Sequence, residues 1–134
     1  MNILLDTHIA IWALNDDPDL TEQARDLILD PNNNIYYSTV SVWEVLLKHE
    51  RRPKSIPFTE KEFSDACREA GFIPLTLADK HVLAVNTLSR NDTESEHNDP
   101  FDRILLAQAK VENLTFLTHD RLIAGYNEKC VILV

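Results

Sequence analysis

Short apolar runs alternate along this chain with longer stretches in which apolar residues recur every three or four positions. Asn2-Ile3-Leu4-Leu5 is the first run, ends in Asp6, and reads as a buried strand. Thr7 to Asn15 carries Ile9, Ile11, Trp12 and Leu14 in a helical pattern, which Asp16-Asp17-Pro18 breaks. Thr21 to Leu29 reads as a second helix, with Leu20, Ala24, Leu27 and Ile28 on one side, and Asp30 to Asn34 reads as a turn. Ile35-Tyr36-Tyr37 predicts a second strand, and Ser41 to Glu50 a third helix ended by Arg51 to Lys54. Thr59 to Ala70 is amphipathic, with Thr59 placed as N-cap, Glu62 at the capping-box position and Gly71 as the stop. Phe72 to Leu75 is strand-like, Ala78 to Ser89 helical, and Arg90 to Asn98 a polar loop. Pro100 to Glu112 predicts a helix capped by Asp99, with proline at its first position. Thr115-Phe116-Leu117 is a further strand, Asp120 to Ala124 a short helix, and Val131 to Val134 the last strand. Short strands alternating with helices predict an α/β domain with a mostly parallel sheet. With no repeat, low-complexity segment or linker, residues 1–134 are expected to form a single domain.

Composition narrows the function. Hydrophobic residues make up 44% and charged residues 26%, ordinary proportions for a globular protein. The 2 glycines exclude a glycine-rich phosphate loop, which needs glycine wherever the backbone must approach a phosphate. A net charge of −9 repels nucleic acid at long range, which in a nuclease bound cations, or acids lying away from the substrate, would offset. Cys67 and Cys130 lack a Cys-x-x-Cys spacing and read as two buried thiols in a reducing compartment. Asp6 interrupts the first apolar run, no basic segment precedes it, and no run approaches the ~18 residues of a membrane span. A cytoplasmic protein is expected, without a membrane partner.

In open parallel sheets, ligands bind beyond the carboxyl ends of the strands. Asp6 follows the first strand and Asp120 the fourth, while Asp102 lies in the first turn of the helix leading into that fourth strand. Each of the three has an ordinary alternative as a helix-start carboxylate. Glu44 is flanked by apolar residues on nearly every side, and a buried carboxylate needs a partner. Lys48, one turn on, is one candidate partner, and a metal ion is the other. As a set, Asp6, Glu44, Asp102 and Asp120 suit hard divalent cations such as Mg²⁺ or Mn²⁺, which prefer oxygen ligands. One such ion can activate a water, and a second, roughly 4 Å away, can stabilise a leaving oxygen, which serves attack on a phosphodiester. His8, His49, His81, His97 and His119 show no His-Glu-x-x-His pattern, so zinc is not indicated. The hydroxyls of Thr7, Ser41 and Thr118 could orient these carboxylates or simply bond to backbone. Arg103 could meet phosphate or pair with an acid. Lys48, Arg51, Arg52 and Lys54 form the dense basic patch, which could meet RNA, an acidic partner or solvent.

Four stretches carry a resemblance: Met1 to His8 (MNILLDTH), Ser41 to Glu44 (SVWE), His97 to Arg103 (HNDPFDR) and Leu117 to Asp120 (LTHD). In order and spacing they resemble PIN-domain proteins, above all VapC-type toxins of toxin–antitoxin pairs. Asp99 to Ala109 (DPFDRILLAQA) is the most specific signal. The resemblance implies a three-layer α/β/α sandwich around a mostly parallel sheet. It implies a Mg²⁺- or Mn²⁺-dependent endoribonuclease with its acidic positions at Asp6, Glu44, Asp102 and Asp120. Asp99 is an additional acid near that site, read mainly as a cap. The resemblance also implies a homodimer, an RNA substrate, and a cognate antitoxin laying its C-terminal segment into a groove near the site. The Arg90–Glu96 loop is longer and more acidic than such relatives suggest. Two other readings remain: a catalytically silent PIN-like interaction module, and an aspartyl-phosphate enzyme. The latter usually has a second acid two residues after its nucleophile, where this chain has His8.

Overall fold

The computed structural model describes residues 1–134. Five strands, β1 (Asn2–Leu5), β2 (Asn34–Ser38), β3 (Ile73–Leu75), β4 (Thr115–Thr118) and β5 (Val131–Leu133), form one sheet in the order β3-β2-β1-β4-β5. All four pairings are parallel, so the sheet is wholly rather than mostly parallel. Parallel neighbours need crossover connections, and six helices supply three of the four: α1 (Thr7–Leu14), α2 (Glu22–Leu29), α3 (Thr39–Arg51), α4 (Glu60–Glu69), α5 (Asp79–Ala84) and α6 (Pro100–Glu112); the connection from β4 to β5 has only a 3₁₀ turn.

Strand side chains alternate between two cores, as a period of two requires. Ile3, Leu5, Ile35, Tyr37 and Leu117 face a cluster with Ile9 and Ala10 of α1, Ala24 of α2, Val45 of α3 and Phe63 and Cys67 of α4. Leu4 and Phe116 face the opposite side, against Leu105, Leu106 and Ala109 of α6. A sheet covered on both faces explains why its strands read as continuous apolar runs. This is the expected α/β/α arrangement. No helix is long and apolar enough to cross a membrane.

Local signals mostly hold. The Thr59/Glu62 capping box is formed, and Asp99 Oδ1 accepts from the amides of Phe101 and Asp102. Ser38 Oγ caps α3 by accepting from Val40 N at 3.0 Å, which starts that helix at Thr39, ahead of the expected Ser41. Gly71 has φ +83°, the left-handed position that stops α4. Gly71→Ala should cost about 1 kcal/mol, read as a lower denaturation midpoint at unchanged slope.

Two expected helices are corrected. The segment 78–89 is α-helical only to Ala84, with a 3₁₀ turn over Val85–Thr87. There Thr87 Oγ1 donates to the Ala84 carbonyl at 2.6 Å, a local side-chain bond that competes with helix continuation. The segment 120–124 contains no α-helix. Asp120 Oδ1 instead accepts from Leu122 N at 2.9 Å, a turn that leads into a 3₁₀ turn at Ile123–Gly125. Both cysteines are free; Cys67 is buried as expected and Cys130 only partly so.

Candidate active site

The strand order reverses at β1. The chain moves outward from β1 through β2 to β3, then returns to place β4 on the other side of β1. Such a reversal leaves a crevice at the carboxyl ends of the two strands. Asp6, Glu44, Asp99, Asp102 and Asp120 all line one cleft there, of ≈ 360 Å³, with His8, Trp12, Lys48 and His119 around it. Asp6, Asp102 and Asp120 thus meet at one place, as the strand-end argument predicts, and Glu44, singled out by its apolar surroundings, joins them.

Each carboxylate has its own support. Asp6 is buried, with 5% of its surface exposed. Its Oδ1 accepts from Thr7 N at 2.7 Å, so the capping account is correct as far as it goes. Its Oδ2 accepts from the Thr118 hydroxyl at 2.7 Å, which no capping role requires. Glu44, 4% exposed, accepts at Oε1 from the Thr7 hydroxyl (2.6 Å) and pairs at Oε2 with Lys48 (2.8 Å). The lysine partner foreseen for it is therefore present. The Ser41 hydroxyl lies 2.8 Å from that of Thr7 and holds it in turn. Thr118 Oγ1 also accepts from Asp120 N at 3.0 Å, tying Asp120 to Asp6 through one hydroxyl. Thr7, Ser41 and Thr118 thus orient acids. Arg103 does not: it pairs with no carboxylate and lines a separate cleft with Arg90 and Tyr126.

His97 and Tyr126 escaped sequence reasoning in this role. His97 is buried, with Nε2 3.1 Å from Asp102 Oδ2 and Nδ1 2.7 Å from the Tyr126 hydroxyl. Burial, and then the nearby Arg90 charge, lower its pKa, which favours a neutral ring. A neutral ring suits this geometry, since one ring nitrogen donates and the other accepts, linking Asp102 to Tyr126, whose hydroxyl also donates to the His97 carbonyl at 3.3 Å. Arg90 lies over the Tyr126 ring at 4.7 Å and donates to the carbonyls of Ser95 and Leu122, so the loop is tied down at its base. The signal that could have found His97 was a lone histidine five positions ahead of a candidate acid.

Crowding carries an electrostatic cost. Burial, together with the charges of Asp6, Asp99, Glu44 and Asp120, pushes Asp102 up to about 8. Burial raises Asp6 to about 6 despite the Thr118 hydrogen bond, and Glu44 and Asp120 add to the rise. Carboxyls that resist ionisation beside other carboxylates form a site that a cation would complete. The donors fit a hard divalent ion: they are carboxylate oxygens, and one nitrogen lies among them. His97, Asp102 and Asp120 can bring their ligand atoms within 4.8 Å of one another, and Asp6 and Glu44 line the same cleft. Because His97 Nε2 already engages Asp102, the ring fits better as that carboxylate's support than as a ligand.

Comparison with known proteins bears on the fold and the family. The chain superposes on a chain of the VapBC2 complex from Rickettsia felis bound to a DNA fragment from its promoter. That match has TM-score 0.67 and 19% identity, covering 100% of this chain and 98% of the other. A second match is to VapBC-1 from nontypeable Haemophilus influenzae, with TM-score 0.55 and 17% identity over 90% of this chain and 88% of that one. At such identities the likeness is one of fold. No curated protein sequence matches the chain. A family model described as PIN domain matches residues 3–129, nearly the whole sequence. That span includes every acid of the cleft, and the chain belongs to the PIN domain family.

Proposed function

We propose that residues 1–134 act as one PIN domain, a Mg²⁺- or Mn²⁺-dependent endoribonuclease and the toxin of a VapBC-like toxin–antitoxin pair. The observation that carries this reading is the convergence of Asp6, Glu44, Asp102 and Asp120 on one cleft, with two of them resisting ionisation there. Asp6, Glu44, Asp102 and Asp120 would hold the metal, with Asp99 at the rim. A bound divalent ion supplies positive charge for the carboxylates and for phosphate oxygens, and activates water as nucleophile. The protein's part is orientation. Thr118 and Thr7 fix Asp6 and Glu44, His97 fixes Asp102, and each acid keeps oxygen lone pairs for a ligand. Lys48 beside Glu44 contributes a cation where a phosphodiester would lie.

Both superposed proteins are VapBC complexes, which supports a cognate antitoxin as partner. A homodimer working in the cytoplasm completes the reading. Purified chain, freed of antitoxin, should cleave RNA in Mg²⁺ or Mn²⁺ and not in EDTA. Asp6→Asn should abolish cleavage, measured on labelled RNA by gel. Failure to cut any RNA in either metal would sink the ribonuclease assignment and favour a silent interaction module.

A further inference from the structure

A second groove of ≈ 440 Å³ opens beside the acidic cleft, between α1 and the end of α3. The two share His8, Trp12 and Lys48 as a common wall, so one path runs from the carboxylates into the groove. Glu44, Lys48 and Arg51 are spaced i, i+4, i+7 on α3 and lie on one face of that helix. At ~1.5 Å per residue, the lysine lies about 6 Å and Arg51 about 10 Å along the axis from the buried glutamate. Arg52 lines the groove too, and Asp17 is its one acid. Arg51 and Arg52 are exposed and make no ion pair, unlike Lys48 one turn before them, which Glu44 engages. In a chain of net charge −9, two free guanidinium groups beside an acidic centre are a local reversal of sign. Trp12 offers a ring at the shared wall, held edge-on by His119 at 5.5 Å between centroids.

We propose that this groove carries the single strand of RNA next to the scissile phosphate, with Arg51 and Arg52 on backbone phosphates and Trp12 under a base. The inference rests on the ribonuclease reading and adds the path of the substrate. Guanidinium forks match phosphate, and an aromatic face accepts any base, so the groove would grip single strands with little sequence preference. It also answers the charge problem: the substrate is drawn to this strip although the molecule as a whole repels it.

Binding of a fluorescein-labelled oligouridylate to the full-length chain tests this, in an Asp6→Asn background that prevents turnover. Arg51→Ala/Arg52→Ala should weaken binding roughly tenfold or more and reduce the slope of log K against log salt by about 1.4, or ~0.7 per lost phosphate contact. Lys61→Ala/Lys129→Ala removes the same charge from exposed positions elsewhere and should change neither. In a Trp43→Phe chain, where Trp12 is the one tryptophan, the RNA should quench fluorescence. An unchanged salt slope in the arginine variant, or an equal loss in the lysine control, would overturn the proposal. So would arginine-dependent binding of a polyglutamate peptide but not of RNA, which would mark the groove as a seat for an acidic protein segment. Absence of quenching would remove Trp12 from the path.

Cleavage separates this idea from the reading beneath it. With Asp6 intact, the arginine variant should cut the dinucleotide UpA as the parent does while losing activity on the longer strand. A parent that cuts RNA while both variants match it keeps the ribonuclease and loses the groove. A parent that binds through the arginines yet cuts nothing keeps the groove and loses the ribonuclease.

Discussion

Replacing Asp102 with asparagine should raise the melting temperature of the metal-free protein at pH 8 by roughly 5 °C while eliminating RNA cleavage. Asp102 holds its proton up to about pH 8 in the folded state, against an ordinary value of 3.8 in an open chain. Between those values the native state binds a proton that the unfolded state lacks, so stability falls as pH rises. The contribution is fully present below pH 3.8 and is lost once pH has passed through about 8. For Asp6 the same loss occurs as pH rises through about 6, so most of the fall between pH 7 and 8 belongs to Asp102. The side chain is 15% exposed and partly solvated, and a gain of about 1–2 kcal/mol from removing its charge is a reasonable scale. Mg²⁺ should stabilise the parent at pH 8 in proportion to its binding, and leave the asparagine variant nearly unmoved. Thermal unfolding in EDTA from pH 6 to 8 measures this. A parent whose melting temperature holds level or climbs over that range would contradict it.

Thr118→Val should weaken Mn²⁺ binding roughly 10- to 100-fold, although the side chain reaches no substrate. One hydroxyl donates to Asp6 Oδ2 and accepts from Asp120 N, so its loss frees two ligands' supports at once. The buried oxygen and amide left behind should cost about 1–3 kcal/mol of stability. The lost bond also lowers Asp6's pKa at present, so the variant's Asp6 should titrate above about 6. The deficit in Mn²⁺ affinity should therefore be larger at pH 6 than at pH 8, and Thr118→Ser should restore most of it. Calorimetric Mn²⁺ titration at the two pH values is the measurement. Parent-like affinity in the valine variant would mean that Thr118 merely packs.

The positions of Asp6, Glu44, Asp102 and Asp120 were legible because each depends on local pattern: two strand ends, one helix start, one acid in an apolar helix. The parallel sheet was legible for the same reason, since strands buried on both faces read as unbroken apolar runs. His97 was not legible as a support. It lies in a polar loop without periodicity, and its partner Tyr126 stands 29 residues away. The 78–89 helix was overextended because a single hydroxyl, Thr87, ends it through a bond that propensity does not register. The pairing of Glu44 with Lys48 was foreseen as an alternative to a metal, but the two are compatible. The lysine holds one oxygen and Thr7 the other, leaving lone pairs on both.

The bond from Thr118 to Asp6 spans 112 positions, and β1 reaches its neighbour β4 only across the same stretch. During synthesis Asp6 is made first and waits for more than a hundred residues before its hydroxyl partner exists. Bringing such distant parts together costs loop-closure entropy that the local helices do not pay. The carboxylates therefore cannot come together until β4 has been made. A growing chain on the ribosome, surrounded by RNA, carries Asp6, Glu44 and Asp102 before it has Thr118 and Asp120, and so not yet the cleft itself.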